Sequence, residues 1–109
     1  MQIKLVNREQ GIFVFQLDQN NYIKFCPERG GVITNWVSDG KEILYFDDKR
    51  FMDKTKSIRG GIPILFPICG NLKTPGSVCG TDYSQLSQHG FARDLQWEYT
   101  FKNIKSTEI

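Results

Sequence analysis

Residues 11–17, with the sequence Gly-Ile-Phe-Val-Phe-Gln-Leu, are rich in the aromatic and β-branched types that favour strands. They follow residues 2–6, Gln-Ile-Lys-Leu-Val, in which polar and apolar types alternate. The polar residues 7–10 between them predict a turn, so the two stretches together predict a β-hairpin. Residues 18–21 (Asp-Gln-Asn-Asn) predict a second turn, and residues 22–25 (Tyr-Ile-Lys-Phe) predict a third strand. The start of the chain therefore predicts an antiparallel sheet.

The pattern continues outward from this sheet. Residues 32–37 and 42–46 predict further strands, with a turn at 38–41. Strong alternation over 95–101 predicts another. Short strands about every 10 residues are typical of a sandwich or a barrel, and no window carries the apolar stripe of a helix. We predict an all-β chain whose polar residues 102–109 fray. The aromatic side chains of Trp36, Phe66, Phe91 and Trp97 could stack on the face of a ligand ring, but we expect most of them in the core.

Composition excludes several classes of protein. The chain has 109 residues and a formal net charge of +2, which is too small to indicate binding to nucleic acid or to an anionic membrane. No apolar run approaches the length of about 20 residues that a membrane helix needs, and the first residues lack the features of a signal peptide. We therefore expect a cytoplasmic protein without nucleic-acid or membrane partners.

The three cysteines, Cys26, Cys69 and Cys79, are an odd number and form no closely spaced pair. With a single histidine in the chain, this argues against a disulfide framework and against a structural zinc site. Thiols in a reducing compartment are the favoured interpretation. Cys69 and Cys79 flank a glycine-rich loop, so a disulfide between them is the less favoured alternative.

Two local sequences place charged residues among glycines. One is Arg59 with two glycines after it, and the other runs from His89 to Arg93. Glycine lets a backbone approach a ligand, and a guanidinium offers a rigid fork of donors to hydroxyls, carboxylates or phosphate. Equally, the glycines could form a bend while Arg59 pairs with Asp47 or Asp48. These two interpretations stay open at this level.

His89 lies where the long loop 69–88 returns to the predicted sheet, and long ordered loops are usually functional. The imidazole could donate a proton, contact a ligand or cap a turn. A site shared with Arg93 is geometrically allowed on a strand or on a bent segment. For Arg29, which also precedes two glycines, a structural turn is favoured over a binding role.

Four motifs occur in order across residues 27–98. They are Pro27-Glu28-Arg29-Gly30-Gly31 with Trp36 after it, Glu42-Ile43-Leu44-Tyr45, the stretch from Ser57 to Pro67, and Gln88-His89-Gly90-Phe91-Ala92-Arg93 followed by Trp97-Glu98. At these residues the sequence resembles the aldose 1-epimerase (galactose mutarotase-like) family. The similarity is greatest to the branch that includes hexose-6-phosphate epimerases.

The resemblance implies an antiparallel β-sandwich with an open groove for a hexose or hexose phosphate, and neither metal nor organic cofactor. It implies that Arg59, His89 and Arg93 line the sugar site, and that Arg59 and Arg93 hold the phosphate in the phosphate-accepting branch. The implied reaction interconverts the α and β anomers of the sugar. Its acid histidine and base glutamate lie downstream of the last motif and have no counterpart here, so no catalytic residue is assigned.

The chain is thus expected to supply residues 1–101 as the incomplete N-terminal portion of a mutarotase-like sandwich, followed by the polar tail 102–109. We expect weak activity or none from the isolated chain, which would still carry part of the sugar-binding groove of an isomerase. Two alternatives stay open: a non-catalytic carbohydrate-binding module, and a β module that forms homodimers through exposed sheet edges.

Overall fold

The computed structural model describes residues 2–71, 77–78, 81–82, 86–101 and 107–108. Within them, the helices and strands in chain order are β1 (Gln2–Asn7), β2 (Ile12–Asp18), β3 (Asn21–Cys26), β4 (Val32–Ser38), β5 (Lys41–Glu42), α1 (Asp48–Met52), β6 (Ser77–Val78), β7 (Thr81–Asp82) and β8 (Thr107–Glu108). Two 3-10 turns, Pro27–Arg29 and Ala92–Asp94, complete the set. In this part of the chain, no helix has the length and apolar character needed to cross a bilayer.

The main sheet has the strand order β5–β4–β3–β2–β1–β8. All of its neighbouring strands pair antiparallel except β1 and β8, which pair parallel. Ile3 lies opposite Phe15 in the first hairpin, and Phe13 lies opposite Phe25 in the second. β6 and β7 form a separate antiparallel pair. The all-β, antiparallel prediction is confirmed, and β1 to β4 lie where the sequence predicts them.

Polar side chains close the first turns. Asn7 Oδ1 accepts the backbone N–H of Gln10 at 3.0 Å, which fixes the turn between β1 and β2. Asp18 Oδ1 accepts the backbone N–H of Asn20 at 2.8 Å and also an N–H of the Asn21 side chain. These hydrogen bonds favour the charged carboxylate, so the Asn20 backbone and then the Asn21 side chain lower the pKa of Asp18.

One face of the sheet is covered by the segment that follows β5. Cys26, Val32 and Phe51 form a buried cluster in which each side chain is at most 2% exposed. Phe51 belongs to α1, so this short helix is held by burial of one ring rather than by its own length. Partly buried side chains complete the cluster: Ile12, Phe46 and Ile58.

The opposite face carries an aromatic cluster. The Phe13 ring stacks on Phe25 with ring centroids 5.7 Å apart. Tyr99 and Phe101 meet the Phe13 ring edge-on at 5.0 and 5.6 Å. Adjacent residues of a strand point to opposite faces. Phe25 therefore faces the aromatic cluster, and Cys26 faces the buried cluster on the other side of β3.

The prediction of a strand over residues 42–46 is wrong beyond its first residue, because β5 ends at Glu42. Glu42 Oε1 accepts the backbone N–H groups of Trp36 and Leu44, and a carboxylate that captures these donors turns the chain away from the ladder. Asp47 then caps the start of α1, where its Oδ1 accepts the backbone N–H of Arg50 at 3.0 Å.

The expected strand at 95–101 is also wrong, because the described residues pair this segment with no neighbouring strand. Trp97 donates its backbone N–H to the Pro27 carbonyl at 3.0 Å, and Tyr99 packs on Phe13 instead of joining a ladder. Within the tail, Thr107–Glu108 pairs with β1 rather than fraying. The domain division at residue 101 itself stays a prediction.

The aromatic side chains expected in the core lie at the surface. Trp36 is 42% exposed, Phe66 59%, Phe91 43% and Trp97 37%. Burial in the described residues instead falls on Phe51, on Ala92 and on six side chains of β1 to β4: Ile3, Phe13, Val14, Cys26, Val32 and Val37. The expectation of a core built on these four aromatics is therefore wrong.

Cys26 provides a test of the packing. Its thiol is fully buried and donates to the Gln10 carbonyl at 3.1 Å, and burial raises the pKa of Cys26 because the thiolate loses its hydration. Cys69 is exposed, and Cys79, with the proposed disulfide, lies outside the described residues.

In a variant carrying Cys69→Ser and Cys79→Ser, we expect Cys26 to react with a thiol reagent at least about 100-fold more slowly in the native than in the unfolded chain. A raised native pKa means that the unfolded thiol loses its proton first. The free energy of unfolding should therefore fall as the pH rises above the ordinary thiol value of about 8.5. Equal native and unfolded reaction rates in stopped-flow absorbance would contradict the packing.

Candidate functional site

A groove of about 540 Å³ opens where the first 3-10 turn, the chain after α1 and the second 3-10 turn meet. Five cationic side chains and two carboxylates line it, so positive charge predominates. Its cationic side chains are Arg29, Lys54, Lys56, Arg59 and Arg93. The remaining lining residues are Glu28, Val32, Thr55, Ser57, Ile58, Gly60, Gly61, Pro63 and Asp94.

The backbone around Arg59 is held by hydrogen bonds to two neighbouring segments. The Arg59 carbonyl accepts the N–H of Asp47 at 3.0 Å, and the N–H of Gly61 reaches the Tyr45 carbonyl at 2.7 Å. Gly60 has a φ of +86°, and a Cβ added there would overlap the Tyr45 carbonyl oxygen. The glycines after Arg59 thus allow one backbone to approach another, which fixes the position from which the guanidinium extends.

The Arg59 side chain is exposed, and its recorded hydrogen bond is a long one of 3.4 Å to the Ile58 carbonyl. It forms no ion pair with any carboxylate in the described part of the chain. The alternative in which Arg59 pairs with Asp47 or Asp48 is therefore not found. Asp47 is engaged at the start of α1, where it accepts the N–H of Arg50.

Arg93 lies in the second 3-10 turn, Ala92–Asp94, so the segment after His89 is bent rather than a strand. The turn docks on the first glycine pair: Gly30 donates its N–H to the Leu95 carbonyl at 2.9 Å. A Cβ at Gly30 would overlap the Arg93 carbonyl. The Arg93 side chain is half-buried and, among the described residues, has no hydrogen bond or ion pair.

Arg29 also borders the groove, but its guanidinium is committed to protein groups. Nη1 donates to the Phe51 carbonyl at 2.8 Å, and Nη2 donates to the Lys56 carbonyl at 3.4 Å. The guanidinium carbon lies 4.8 Å from the centre of the Phe51 ring. Arg29 therefore anchors the rim of the groove to the sheet, in agreement with the structural role that the sequence favours.

The rim residues 54–57 were not predicted from the sequence. Asp53 organises them, because its Oδ1 accepts both the hydroxyl of Thr55 at 2.6 Å and the N–H of Thr55 at 3.0 Å. The Thr55 hydroxyl, its N–H and the nearby Lys56 lower the pKa of Asp53. Arg50 Nε donates to the Ser57 carbonyl at 2.7 Å. The sequence feature that could have indicated this rim is the pair of lysines before Arg59, Lys54 and Lys56. Such lysines are common on solvated surfaces, so they do not by themselves indicate a site.

His89 is not among the residues that line the groove. The ring Nδ1 of His89 accepts the backbone N–H of Gly70 at 2.7 Å, and the backbone N–H of His89 donates to the Gly70 carbonyl at 2.8 Å. This pair of bonds ties together the two ends of the loop predicted over 69–88, half of which lies outside the described residues. In the neutral form the ring proton is then on Nε2, which can donate but not accept. The structure brings Arg59 and Arg93 to one groove and places His89 outside its lining.

Comparison with known proteins is consistent with the motifs. No family model matches the chain. A protein of Cenchrus ciliaris, described as "Putative glucose-6-phosphate 1-epimerase", is 39% identical over 69 residues, which is 62% of this chain and 18% of that protein. The structure of the Slr1438 protein from Synechocystis sp. PCC 6803 superposes with a TM-score of 0.69 at 46% identity, covering 84% of this chain and 32% of that one.

The structure of HI1317 matches with a TM-score of 0.58 at 21% identity and shows the fold alone; it covers 86% of this chain and 30% of its own. These findings confirm the resemblance to the aldose 1-epimerase family and its β-fold. The chain spans about a fifth of the length of the curated relative and about a third of the Slr1438 chain.

Proposed function

We propose that the groove binds a hexose or hexose 6-phosphate, and that the chain contributes this groove to an aldose 1-epimerase type of isomerase in cytoplasmic carbohydrate metabolism. The observation that carries the proposal is the placement of Arg59 and Arg93 on one groove, each without a carboxylate partner in the described residues. Unpaired guanidinium groups on a concave surface are donors available to a ligand. The name of the Cenchrus ciliaris relative adds independent support.

The phosphorylated sugar suits the groove better than the neutral sugar. A phosphate ester carries close to two negative charges at neutral pH, and a guanidinium binds it through two parallel N–H···O bonds. Lys54 and Lys56 add positive charge at the rim. Lys56 retains most of its hydration, because its contact with Asp53 is 3.7 Å and exposed. Arg59 and Arg93 have no ion pair in the described residues, and the pair of Lys56 is weak. The phosphate would therefore replace water around these cations without breaking a strong ion pair.

The sugar ring would contact the uncharged and acidic part of the lining. Ser57 and Thr55 offer hydroxyl groups, and Glu28 and Asp94 offer acceptors. Sugar hydroxyls both donate and accept, so a mixed lining of this kind can hold a hexose beside its phosphate. The Thr55 hydroxyl donates its proton to Asp53, whereas Ser57 Oγ accepts from Arg50 Nη2 at 3.1 Å, so Ser57 keeps its hydroxyl proton for a sugar oxygen.

Anomer exchange requires a proton donor and a proton acceptor on opposite sides of the sugar. The one histidine of the sequence, His89, accepts the Gly70 N–H at Nδ1, so its free nitrogen is a donor. As a hydrogen-bond donor to a sugar oxygen it fits the substrate-contacting role that the resemblance implies. It does not fit the base. We therefore assign no catalytic residue, and His89 stays a proposed substrate contact beside Arg59 and Arg93.

The isolated chain should leave the rate of anomer exchange at its buffer value. Exchange spectroscopy by NMR on glucose and on glucose 6-phosphate measures that rate directly, with His89→Gln as the matched variant. We expect the same rate with the chain, with the variant and with buffer alone. An exchange rate well above buffer that His89→Gln abolishes would show that the chain is itself an active epimerase.

A non-catalytic carbohydrate-binding module is the second candidate. The observation in its favour is that the groove joins cationic and hydroxyl groups but has no histidine in its lining. Saturable sugar binding without exchange by the full-length protein that contains this chain would favour the module over the isomerase. Exchange catalysed by that protein would favour the isomerase.

A further inference from the structure

We propose that Arg29 is a positioning residue for the phosphate, because it holds the rim lysines, Lys54 and Lys56, at the groove. The inference rests on the function proposed above, to which it adds a residue that acts on the phosphate through other cations. Arg29 belongs to the first 3-10 turn, Pro27–Arg29. This turn is bonded both to the rim and to the segment that carries Arg93, so it supports two sides of the groove.

The Arg29 side chain closes the segment that contains the rim lysines. Its Nη1 donates to the Phe51 carbonyl at 2.8 Å, and its Nη2 donates to the Lys56 carbonyl at 3.4 Å. Lys54 lies in the chain between these two carbonyls. Holding both ends of a short segment on one planar fork removes many of the conformations open to that segment. The guanidinium therefore limits where the two lysines can lie.

The guanidinium of Arg29 is itself fixed by the core. Its carbon lies 4.8 Å from the centre of the Phe51 ring, which is 2% exposed and belongs to the buried cluster. An aromatic face attracts a cation, and more strongly where water is excluded. The hydrogen bonds that the structure records for Arg29 go to backbone carbonyls. This geometry supports a role in placing other cations rather than in contacting the phosphate.

The same turn also holds the segment that carries Arg93. The Pro27 carbonyl accepts an N–H from residues 95–97 at 3.0 Å, and the Gly30 N–H donates to a carbonyl of these residues at 2.9 Å. The approach at Gly30 is close, because a Cβ there would overlap the Arg93 carbonyl. The lysines and Arg93 thus reach the groove from two segments with one common support. Moving the rim away from Arg93 would require breaking the hydrogen bonds of Arg29.

Arg29→Lys tests the proposal by isothermal titration with glucose 6-phosphate and with glucose. An ammonium keeps the positive charge but lacks the planar fork that bridges the two carbonyls. We expect the dissociation constant of glucose 6-phosphate to rise about 3- to 10-fold and that of glucose to rise less than about 2-fold. Arg8→Lys, the same change at an exposed arginine outside the groove lining, should alter neither. Unchanged binding of glucose 6-phosphate, or equal losses for the two sugars, would overturn the proposal.

A double-mutant cycle tests whether Arg29 acts through the lysines. Lys54→Gln combined with Lys56→Gln removes exposed charges, which should raise the dissociation constant of glucose 6-phosphate about 3- to 10-fold in the wild-type background. In the Arg29→Lys background the same pair should cost less than about 2-fold, because the lysines are already displaced. Equal effects in the two backgrounds, or no effect in the wild type, would contradict action through the lysines and overturn the proposal.

Relaxation of the ¹⁵N-labelled backbone provides a readout that involves no sugar. In the wild type the rim amides should have order parameters near the rigid value of about 0.85, and Arg29→Lys should lower them toward about 0.6. A mobile rim in the wild type overturns the proposal whether or not the variant folds, and so does an equally ordered rim in a folded Arg29→Lys chain. If the rim behaves as expected but the wild type does not bind glucose 6-phosphate, the function proposed for the groove is wrong while Arg29 still holds the rim.

Discussion

Gly60→Ala should destabilise the chain by about 3–5 kcal/mol, whereas Gly70→Ala should cost only about 1–2 kcal/mol. The two glycines have nearly the same backbone conformation, with φ of +86° and +85°. A side chain at either position incurs the same left-handed strain. At Gly60, however, the added Cβ also overlaps the Tyr45 carbonyl, while at Gly70 no described atom lies within 4 Å of it. The difference between the two losses of unfolding free energy therefore measures the cost of moving the backbone at Gly60 away from the Tyr45 carbonyl.

Urea unfolding followed by circular dichroism measures both free energies. Because a domain of this kind is stable by only about 5–15 kcal/mol, the loss in Gly60→Ala should lower the urea midpoint much further than the loss in Gly70→Ala. Equal destabilisation by the two substitutions would contradict the close approach of the segments around Tyr45 and Gly60. It would also remove the reason given for the fixed position of Arg59.

Arg59→Ala and Arg93→Ala should each raise the dissociation constant for glucose 6-phosphate by about 10- to 100-fold, because each removes a charged donor from the phosphate. Binding of glucose should change much less. Arg59→Lys should fall between the wild type and Arg59→Ala, since an ammonium keeps the charge but loses the fork. Arg8→Ala is the matched control, because Arg8 is an exposed arginine in the turn between β1 and β2, outside the groove lining.

Isothermal titration with both sugars provides the readout. If Arg59→Ala and Arg93→Ala lowered the affinities for glucose and for glucose 6-phosphate equally, the two arginines would contact the hexose rather than its phosphate. If Arg8→Ala lowered the affinity for glucose 6-phosphate as much as Arg59→Ala, net charge and not the groove would govern binding. Raising the salt concentration should weaken binding of the phosphate only partly, since Arg93 is half-buried and thus less screened.

The early strands could be predicted from sequence because their information is local. Alternation in β1 and aromatic content in β2 specify strands, and Asp18 with its asparagines specifies a turn whatever the rest of the chain does. The segments 42–46 and 95–101 have equally strong patterns but do not form the predicted strands. In the first, the Glu42 carboxylate takes the donors of the ladder. In the second, the rings pack on Phe13 and no neighbouring strand is present in the described residues.

The groove that forms the candidate site could be anticipated only in part. Glycines beside Arg59 and before Arg93 indicated close backbone approach, and both arginines reach one groove. The sequence could not show that the approach is between protein segments rather than toward a ligand, because that depends on contacts between distant residues. It also gave no sign that Arg29 would be anchored to the Phe51 carbonyl, or that residues 54–57 would form the rim.

Arg59 and Arg93 are proposed to bind a sugar phosphate together in one groove. Titration of glucose 6-phosphate into the ¹⁵N-labelled chain, observed at the arginine Nε–H signals, tests this joint binding. Signals are assigned by loss in Arg59→Lys, Arg93→Lys and Arg8→Lys. We predict that the Nε–H signals of Arg59 and Arg93 shift with one common saturation curve while that of Arg8 stays in place. No shift at either groove arginine, or separate curves for the two, would contradict the claim.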